Sequence, residues 1–236
     1  MKNQYFGDIN DYRKYGLLRI LSGDCQFHIG VCWMLTKDDG QSDGKKIIYL
    51  NDPQKWRQYD PLLFDHLHQV VRTDRCRNVR LLQSERILPG ARFYDEFLTD
   101  SIEDRQVYFE QMRCQLDESD LIFFDPDNGI EVKSVLKGRK NSSKYIFWDE
   151  LDKVFQTGKS VLVYQHFPHV QKDDFTTLKV SEYKDHFGAS KVYWFRTPHV
   201  IYFLAAQPQH NKWIQKCANK VKEKWGRDNQ FLVRVV

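Results

Sequence analysis

Asp125, Asp127 and Glu131 stand within a seven-residue stretch, Asp125-Pro-Asp-Asn-Gly-Ile-Glu131, directly after the apolar run Leu121 to Phe124. An apolar run of this length, without polar alternation, predicts a strand buried on both faces, as in a parallel sheet. Pro126 has no N–H for a sheet ladder, so the strand ends there. Asn128-Gly129 then suits a tight turn. An acidic residue at the carboxyl end of a buried strand stands where open α/β sheets bind their ligands. A carboxylate at that place can orient a substrate amine by hydrogen bonding, and much of the rate of a transfer reaction comes from positioning. The three carboxylates together are also a set of hard oxygen ligands for a divalent cation. The plainest alternative is a strand followed by a surface turn.

A second strand, Ser160 to Phe167, is likewise ended by a proline, Pro168. It brings Tyr164, His166 and Phe167 towards Asp125 across the sheet. His166 suits acid–base work or a substrate contact, and Tyr164 or Phe167 offers a ring on which a base can stack. The N-terminal stretch Phe6-Gly7-Asp8-Ile9-Asn10, followed by Lys14, is dense in small and polar residues for a helix start. Asp8 or Asn10 caps that helix, whose apolar face is Tyr12, Tyr15, Leu18 and Leu21. The loop after Leu35 contains Asp38, Asp39, Gly40, Asp43 and Gly44. Its acids suit a ligand ribose or amine, or simply face water. The basic candidates are Arg72, Arg75, Arg77 and Arg80, then Lys137, Arg139, Lys140 and Lys144, then the lysines of the last helix. They suit sequence-independent contacts to phosphate.

The elements that must position these groups alternate. Strands are expected at His28 to Leu35, Ile47 to Leu50, Val79 to Leu82, Ile87-Leu88, Leu121 to Phe124, Tyr145 to Trp148 and Ser160 to Phe167. A late pair, Lys191 to Arg196 and Val200 to Ala206, reads as a hairpin, and Leu232 to Val236 as one more short strand. Gly90 to Phe97 is ambiguous. Helices are expected after Asp52-Pro53 and Asp60-Pro61, over Asp100 to Leu116, up to Phe155, over Asp173 to Phe187 and over His210 to Lys224. Buried strands separated by helices imply βαβ units. The expected fold is one α/β domain over residues 1–236, with a mainly parallel, Rossmann-like sheet, helices on both faces and a C-terminal antiparallel strand pair.

With 236 residues, 41% hydrophobic and 14% aromatic, the chain can bury a full core. Its net charge of +4 is mildly basic and compatible with nucleic acid. No stretch approaches the ~20 apolar residues of a membrane span, and the N-terminus has no apolar signal region. Five scattered cysteines without Cys-x-x-Cys spacing argue for reduced thiols in the cytoplasm and against zinc.

The order of elements resembles the class I S-adenosylmethionine-dependent methyltransferase fold. More narrowly, Phe124-Asp-Pro-Asp-Asn128 stands where the adenine N6 methyltransferases carry Asp-Pro-Pro-Tyr. Phe6 to Lys14 with Leu17-Leu18 resembles the N-terminal helix of the large-subunit ribosomal RNA adenine N6 type, and Tyr145 to Trp148 its segment after the catalytic motif. The resemblance implies S-adenosyl-L-methionine as cofactor, a nucleic-acid adenine amine as acceptor and catalytic roles for Asp125, Pro126, Asn128 and His166. It implies cofactor contacts at Phe6, Gly7, Asp8, Asn10, Lys14, Asp39 and Gly40, while Tyr164 and Phe167 at the end of their strand, and Lys140 and Lys144 after the acidic loop, are the candidate substrate contacts by position. The chain departs from the pattern twice. The loop after Leu35 is acidic rather than glycine-rich, and Asp127-Asn128 replaces Pro-Tyr, so Asn128 cannot stack on a base.

Two alternatives stand beside this expectation. Pro126-Asp127 with Glu131-Val-Lys133 superficially matches restriction-type nucleases, in which such carboxylates hold Mg²⁺; Asp125, Asp127 and Glu131 would be its metal set. The other is a catalytically inactive nucleic-acid or nucleotide-binding module on the same fold.

Overall fold

The computed structural model describes residues 1–23, 25–37, 44–84, 87–188 and 191–236. The chain opens with α1 (Ile9–Ser22) and enters the sheet through β1 (Ile29–Cys32). A helical excursion follows, made of α2 (Pro53–Trp56), α3 (Pro61–His68) and α4 (Arg80–Ser84), before β2 (Arg92–Tyr94). Next come α5 (Ile102–Gln115), β3 (Leu121–Phe124), β4 (Gly129–Ile130), β5 (Tyr145–Ile146), α6 (Trp148–Phe155) and β6 (Ser160–His166). The chain ends with α7 (Lys172–Phe187), β7 (Val192–Arg196), β8 (Val200–Ala205), α8 (Asn211–Trp225) and β9 (Leu232–Val235).

Seven strands form one sheet in the order β2-β1-β3-β6-β8-β7-β9. The first four pair in parallel, with Val31 opposite Phe93 and Phe123, and Phe123 opposite Leu162. The β8 strand pairs antiparallel with both β6 and β7, and β9 pairs antiparallel with β7. The architecture is therefore mixed α/β with a mostly parallel central sheet. Side chains alternate across it. Phe123 and Leu162 pack with α1, α3 and α8 on one face, while Phe124 and Val163 pack with α5, α6 and α7 on the other. All four residues of β3 are buried, each contributing roughly 1.5–3 kcal/mol.

The connections place a site. From β1 the chain goes to β2 on one side and then crosses to β3 on the other. Neighbouring strands whose connections leave in opposite directions open a crevice at their carboxyl ends, where ligands bind in open α/β sheets.

Three short apolar runs are not strands. Ile48–Asn51 is a 3-10 turn, and Arg80–Ser84 is helical. Asn78 begins the second of these, its side-chain oxygen accepting from the Arg80 amide at 3.0 Å. Ile87 and Leu88 are buried without joining the sheet. So short a run, with three or four apolar residues, fits a strand and a buried helical turn equally, and at Val79 to Leu82 the local cap decides. The strand next to β1 comes instead from the ambiguous Gly90 to Phe97 segment. No helix among the described residues is long and apolar enough to cross a membrane.

Candidate functional site

The helix α1 starts where it does because Asp8 caps it. Asp8 Oδ1 accepts from the amides of Asn10 at 2.8 Å and Asp11 at 3.0 Å. Asp11 reaches back to accept from the Gly7 amide at 3.1 Å, so two orphan donors of the first turn are satisfied. Gly7 has φ +76, and a Cβ there would lie 2.5 Å from Val71, so this entry needs glycine. The capped turn sits at the carboxyl ends of β1, β3 and β6 and helps line a cavity of about 320 Å³. Its other walls are Asp125, Pro126, Asp127 and Asn128 after β3, and Tyr164 and His166 on β6. A cavity of this size lies at the lower end of small-molecule sites.

A buried charge cluster dominates its wall. Lys14 and Asp125 are each only 2% exposed. Lys14 Nζ lies 2.6 Å from Asp125 Oδ2 and 2.7 Å from Asp11 Oδ1. The rings of Tyr15, Trp33 and Tyr164 surround the ammonium at 5.4, 5.6 and 5.9 Å, an arrangement that favours a cation. Burial works against the Lys14 charge, but Asp11 and Asp125 outweigh it and hold its pKa above the ordinary value. Burial raises the Asp125 carboxyl, an effect that Lys14 opposes. Burial, with Asp11 alongside, pushes Asp8 up to about 6. Asp127 goes the other way. Burial raises it, but the Met1 amino group at 2.8 Å, the Thr36 hydroxyl at 2.9 Å and Lys2 at 3.9 Å bring it below the usual range.

The loop that carries these groups is stitched to β6. Gln165 Oε1 accepts from the Ile130 amide at 2.9 Å, and its Nε2 donates to the Asn128 carbonyl at 3.1 Å. The His166 amide donates to the same carbonyl at 3.1 Å. A Cβ on Gly129, at φ +123, would lie 2.3 Å from Gln165 Oε1. The expected tight turn is thus an extended crossing, with Gly129–Ile130 pairing in parallel with Tyr145–Ile146. Arg105 anchors the far strand of that pair. It is 1% exposed, donates to the Tyr145 carbonyl at 2.6 Å and binds both oxygens of Glu150.

The structure brings together Asp8, Asn10, Lys14, Asp125, Pro126, Asp127, Asn128, Tyr164 and His166. Phe6 and Gly7 are buried behind this wall. Phe167 does not line the cavity. One residue beyond His166 it packs on the opposite side, 5.8 Å from Phe175, as strand alternation requires. Lys140 and Lys144 line none of it; Lys144 approaches only through its carbonyl, which accepts from the Asn128 amide at 2.9 Å. Asp39 and Gly40, with Asp38 and Asp43, lie outside the described residues.

The proposed metal set is not assembled. Asp127 is held by Met1 and Lys2, while Glu131 faces the start of α6, accepting from the Trp148 amide at 3.4 Å. Among the described residues no three acidic, histidine or cysteine side chains are grouped to hold a metal ion. Several expected phosphate binders have local partners. Arg77 donates to the carbonyls of Phe6 and Gly44, Arg80 pairs with Asp95, and Lys137 pairs with Asp149. Asp11 was missed by the sequence reading. Its spacing was the available signal, three residues before Lys14 and three after Asp8 on one helix face.

No protein-family model matches the chain, and no curated protein matches it. Among solved structures it is similar to protein LPL1258 from Legionella pneumophila, a crystal structure described under the family model DUF519. The TM-score is 0.45 at 10% identity, over 98% of this chain and 96% of that one.

Proposed function

We propose that the cavity binds S-adenosyl-L-methionine and that the protein methylates a nucleic-acid amine, with adenine N6 as the acceptor. One observation carries the reading. The Asp125-Pro126 step ends β3 at the crevice between β1 and β3, and Asp8, Asn10 and Lys14 of the N-terminal helix line the same cavity. The strand order supports it too, because an antiparallel strand, β8, is inserted between β6 and β7 at the end of a parallel run. The class I methyltransferase resemblance implies a C-terminal antiparallel pair on a mainly parallel sheet, and an order of this kind supports the reading.

The lining fits such a cofactor by charge. Asp8 and Asp11 place carboxylates beside a site that would take an ammonium and a sulfonium, while Lys46 in the lining complements a carboxylate. When bound, the cofactor supplies an electrophilic methyl group on sulfur. The chain's own work is positioning. Asp125 accepts a hydrogen bond from the acceptor amine, which aims the nitrogen lone pair. Lys14 holds that carboxylate in one orientation. Tyr164 offers the ring face that Asn128 lacks.

One observation favours a second reading, a binding module without turnover. Lys14 already occupies one oxygen of Asp125 at 2.6 Å, leaving the other to meet a substrate. The two readings separate in an assay of methyl transfer from labelled S-adenosylmethionine to adenine-containing RNA and DNA. The methyltransferase reading predicts incorporation that Asp125→Ala abolishes, with cofactor affinity within a few-fold of wild type. Cofactor binding without incorporation into any nucleic acid would leave the binding module.

A further inference from the structure

Next to the acidic cavity lies a basic one. Ile9 and Arg13, one turn apart on α1, line a groove of about 520 Å³ with Lys46, Ile48, Tyr49, Asp52, Lys55, Trp56 and His199. Asn10 and Lys14, offset by one residue on the same helix, line the acidic cavity. Thus α1 is the partition between the two, and Lys46 belongs to both.

The groove keeps an excess of positive charge, with Arg13, Lys46 and Lys55 against Asp52. Arg13 is 4% exposed. Its Nε and Nη2 donate to the neutral Gln230 Oε1 at 3.0 and 2.6 Å, and its Nη1 has no hydrogen-bond partner among the described residues. Asp52, the acid in the lining, is committed to capping α2 through the Lys55 amide. Burial lowers the basicity of His199 first, and Lys46, Arg13, Lys172 and His166 lower it further, which marks a positive field at the rim. Two cations lie near the Trp56 ring, Arg13 at 5.7 Å and Lys55 at 5.5 Å from its centroid. Ile48 beside it is 78% exposed. Aromatic and apolar surface interleaved with cations is the chemistry of single-stranded nucleic-acid grooves, where bases stack and phosphates meet Lys and Arg.

We propose that this groove holds the single-stranded segment next to the target base. Backbone phosphate lies along Arg13, Lys46 and Lys55, and a neighbouring base stacks on Trp56, so that the target base crosses the α1 partition into the acidic cavity. The inference rests on the nucleic-acid reading above but makes a separate prediction. Lysines elsewhere, such as Lys216 and Lys220 on α8, are not part of the path.

The test is fluorescence anisotropy with a short labelled single-stranded oligoadenylate, without cofactor, over a salt series. Wild type binds with a salt-dependent affinity. The double variant Lys46→Ala/Lys55→Ala flattens the log–log salt slope by about 1.4, two phosphate contacts at roughly 0.7 each. Trp56→Ala weakens binding roughly tenfold at unchanged slope, and Lys216→Ala/Lys220→Ala binds like wild type. Groove variants that bind like wild type, or loss confined to the α8 variant, overturn the proposal. So does competition by anionic phospholipid vesicles that unlabelled oligoadenylate does not match. Cofactor titration is read separately: failed cofactor binding with the groove pattern intact removes the methyltransferase reading and leaves the groove.

Discussion

Lys14 and Asp125 are 111 residues apart in the chain and meet at 2.6 Å in the wall of the acidic cavity. The contact ties the first helix to the end of the central strand. It also sets the cost of change. A buried ion pair adds little net stability over a hydrophobic pair, but removing one partner leaves the other buried and unpaired. Lys14→Met leaves both Asp11 and Asp125 without their shared cation. The expected loss at about pH 8 is roughly 3–5 kcal/mol by urea unfolding. It should narrow as pH falls towards about 4, because burial raises the Asp125 carboxyl and it takes up a proton more readily than an exposed one. An equal loss at both pH values would mean the damage is steric.

Asp8 gives a pH signature of its own. Its folded pKa is about 6 against an ordinary 3.8, so the folded state holds the proton more tightly than the unfolded chain. Ionising Asp8 therefore costs stability as pH rises from about 4 to about 6, on the order of 3 kcal/mol in all. Asn keeps the cap, since its side-chain oxygen also accepts from the first-turn amides. Asp8→Asn should then match wild type in melting temperature at about pH 4 and exceed it at about pH 8. A variant less stable than wild type at about pH 8 would contradict the assignment. The same variant should weaken any cationic ligand of the cavity.

The site loop depends on one glycine and one glutamine. Gly129→Ala forces a side chain into φ +123 and into Gln165, and is expected to cost roughly 1–3 kcal/mol. Gln165→Ala leaves the buried Ile130 amide unpaired, at about 1–3 kcal/mol. Both should raise amide hydrogen exchange across residues 127–131, with β7 and β8 still protected. Unchanged exchange in that segment would show that the stitch to β6 does not hold the loop.

Arg105 supports the same loop from behind. Arg105→Leu leaves the carbonyls of Ser142 and Tyr145 without their donor and Glu150 with only Lys137 at 3.4 Å and the Phe147 amide at 2.9 Å as partners, with an expected cost of roughly 1–3 kcal/mol. The double variant Arg105→Leu/Glu150→Leu should recover much of it. No recovery would place the loss in packing, since Arg105 also covers the rings of Phe109 and Phe147.

The core strands were legible because their signals are local and redundant. Leu121 to Phe124 is bounded by a proline, and the Val192–Arg196 and Val200–Ala205 hairpin by a turn. Val79 to Leu82 was misread as a strand because three apolar residues around Arg80 are too few to show a period, and Asn78 caps a helix there. At the site, Asp125 was legible from its place after a buried strand, and Asp8 from its place before a helix. The basic groove was not. Its cations, Arg13, Lys46 and Lys55, come from three separate segments, whereas some of the cations that cluster in the sequence are paired, such as Arg80 with Asp95 and Lys137 with Asp149. Clustering along the sequence therefore did not locate the positive groove, which only the fold assembles.

The central claim is that the cavity between α1 and the end of β3 takes S-adenosylmethionine. Calorimetric titration of the metal-free protein with S-adenosylmethionine and with S-adenosylhomocysteine tests it most directly. The account predicts saturable one-site binding in the micromolar range, weakened at least tenfold by Asp8→Asn and left within a few-fold by Lys55→Ala in the neighbouring groove. Absence of heat with both ligands at millimolar concentration, from protein that unfolds cooperatively, would contradict it.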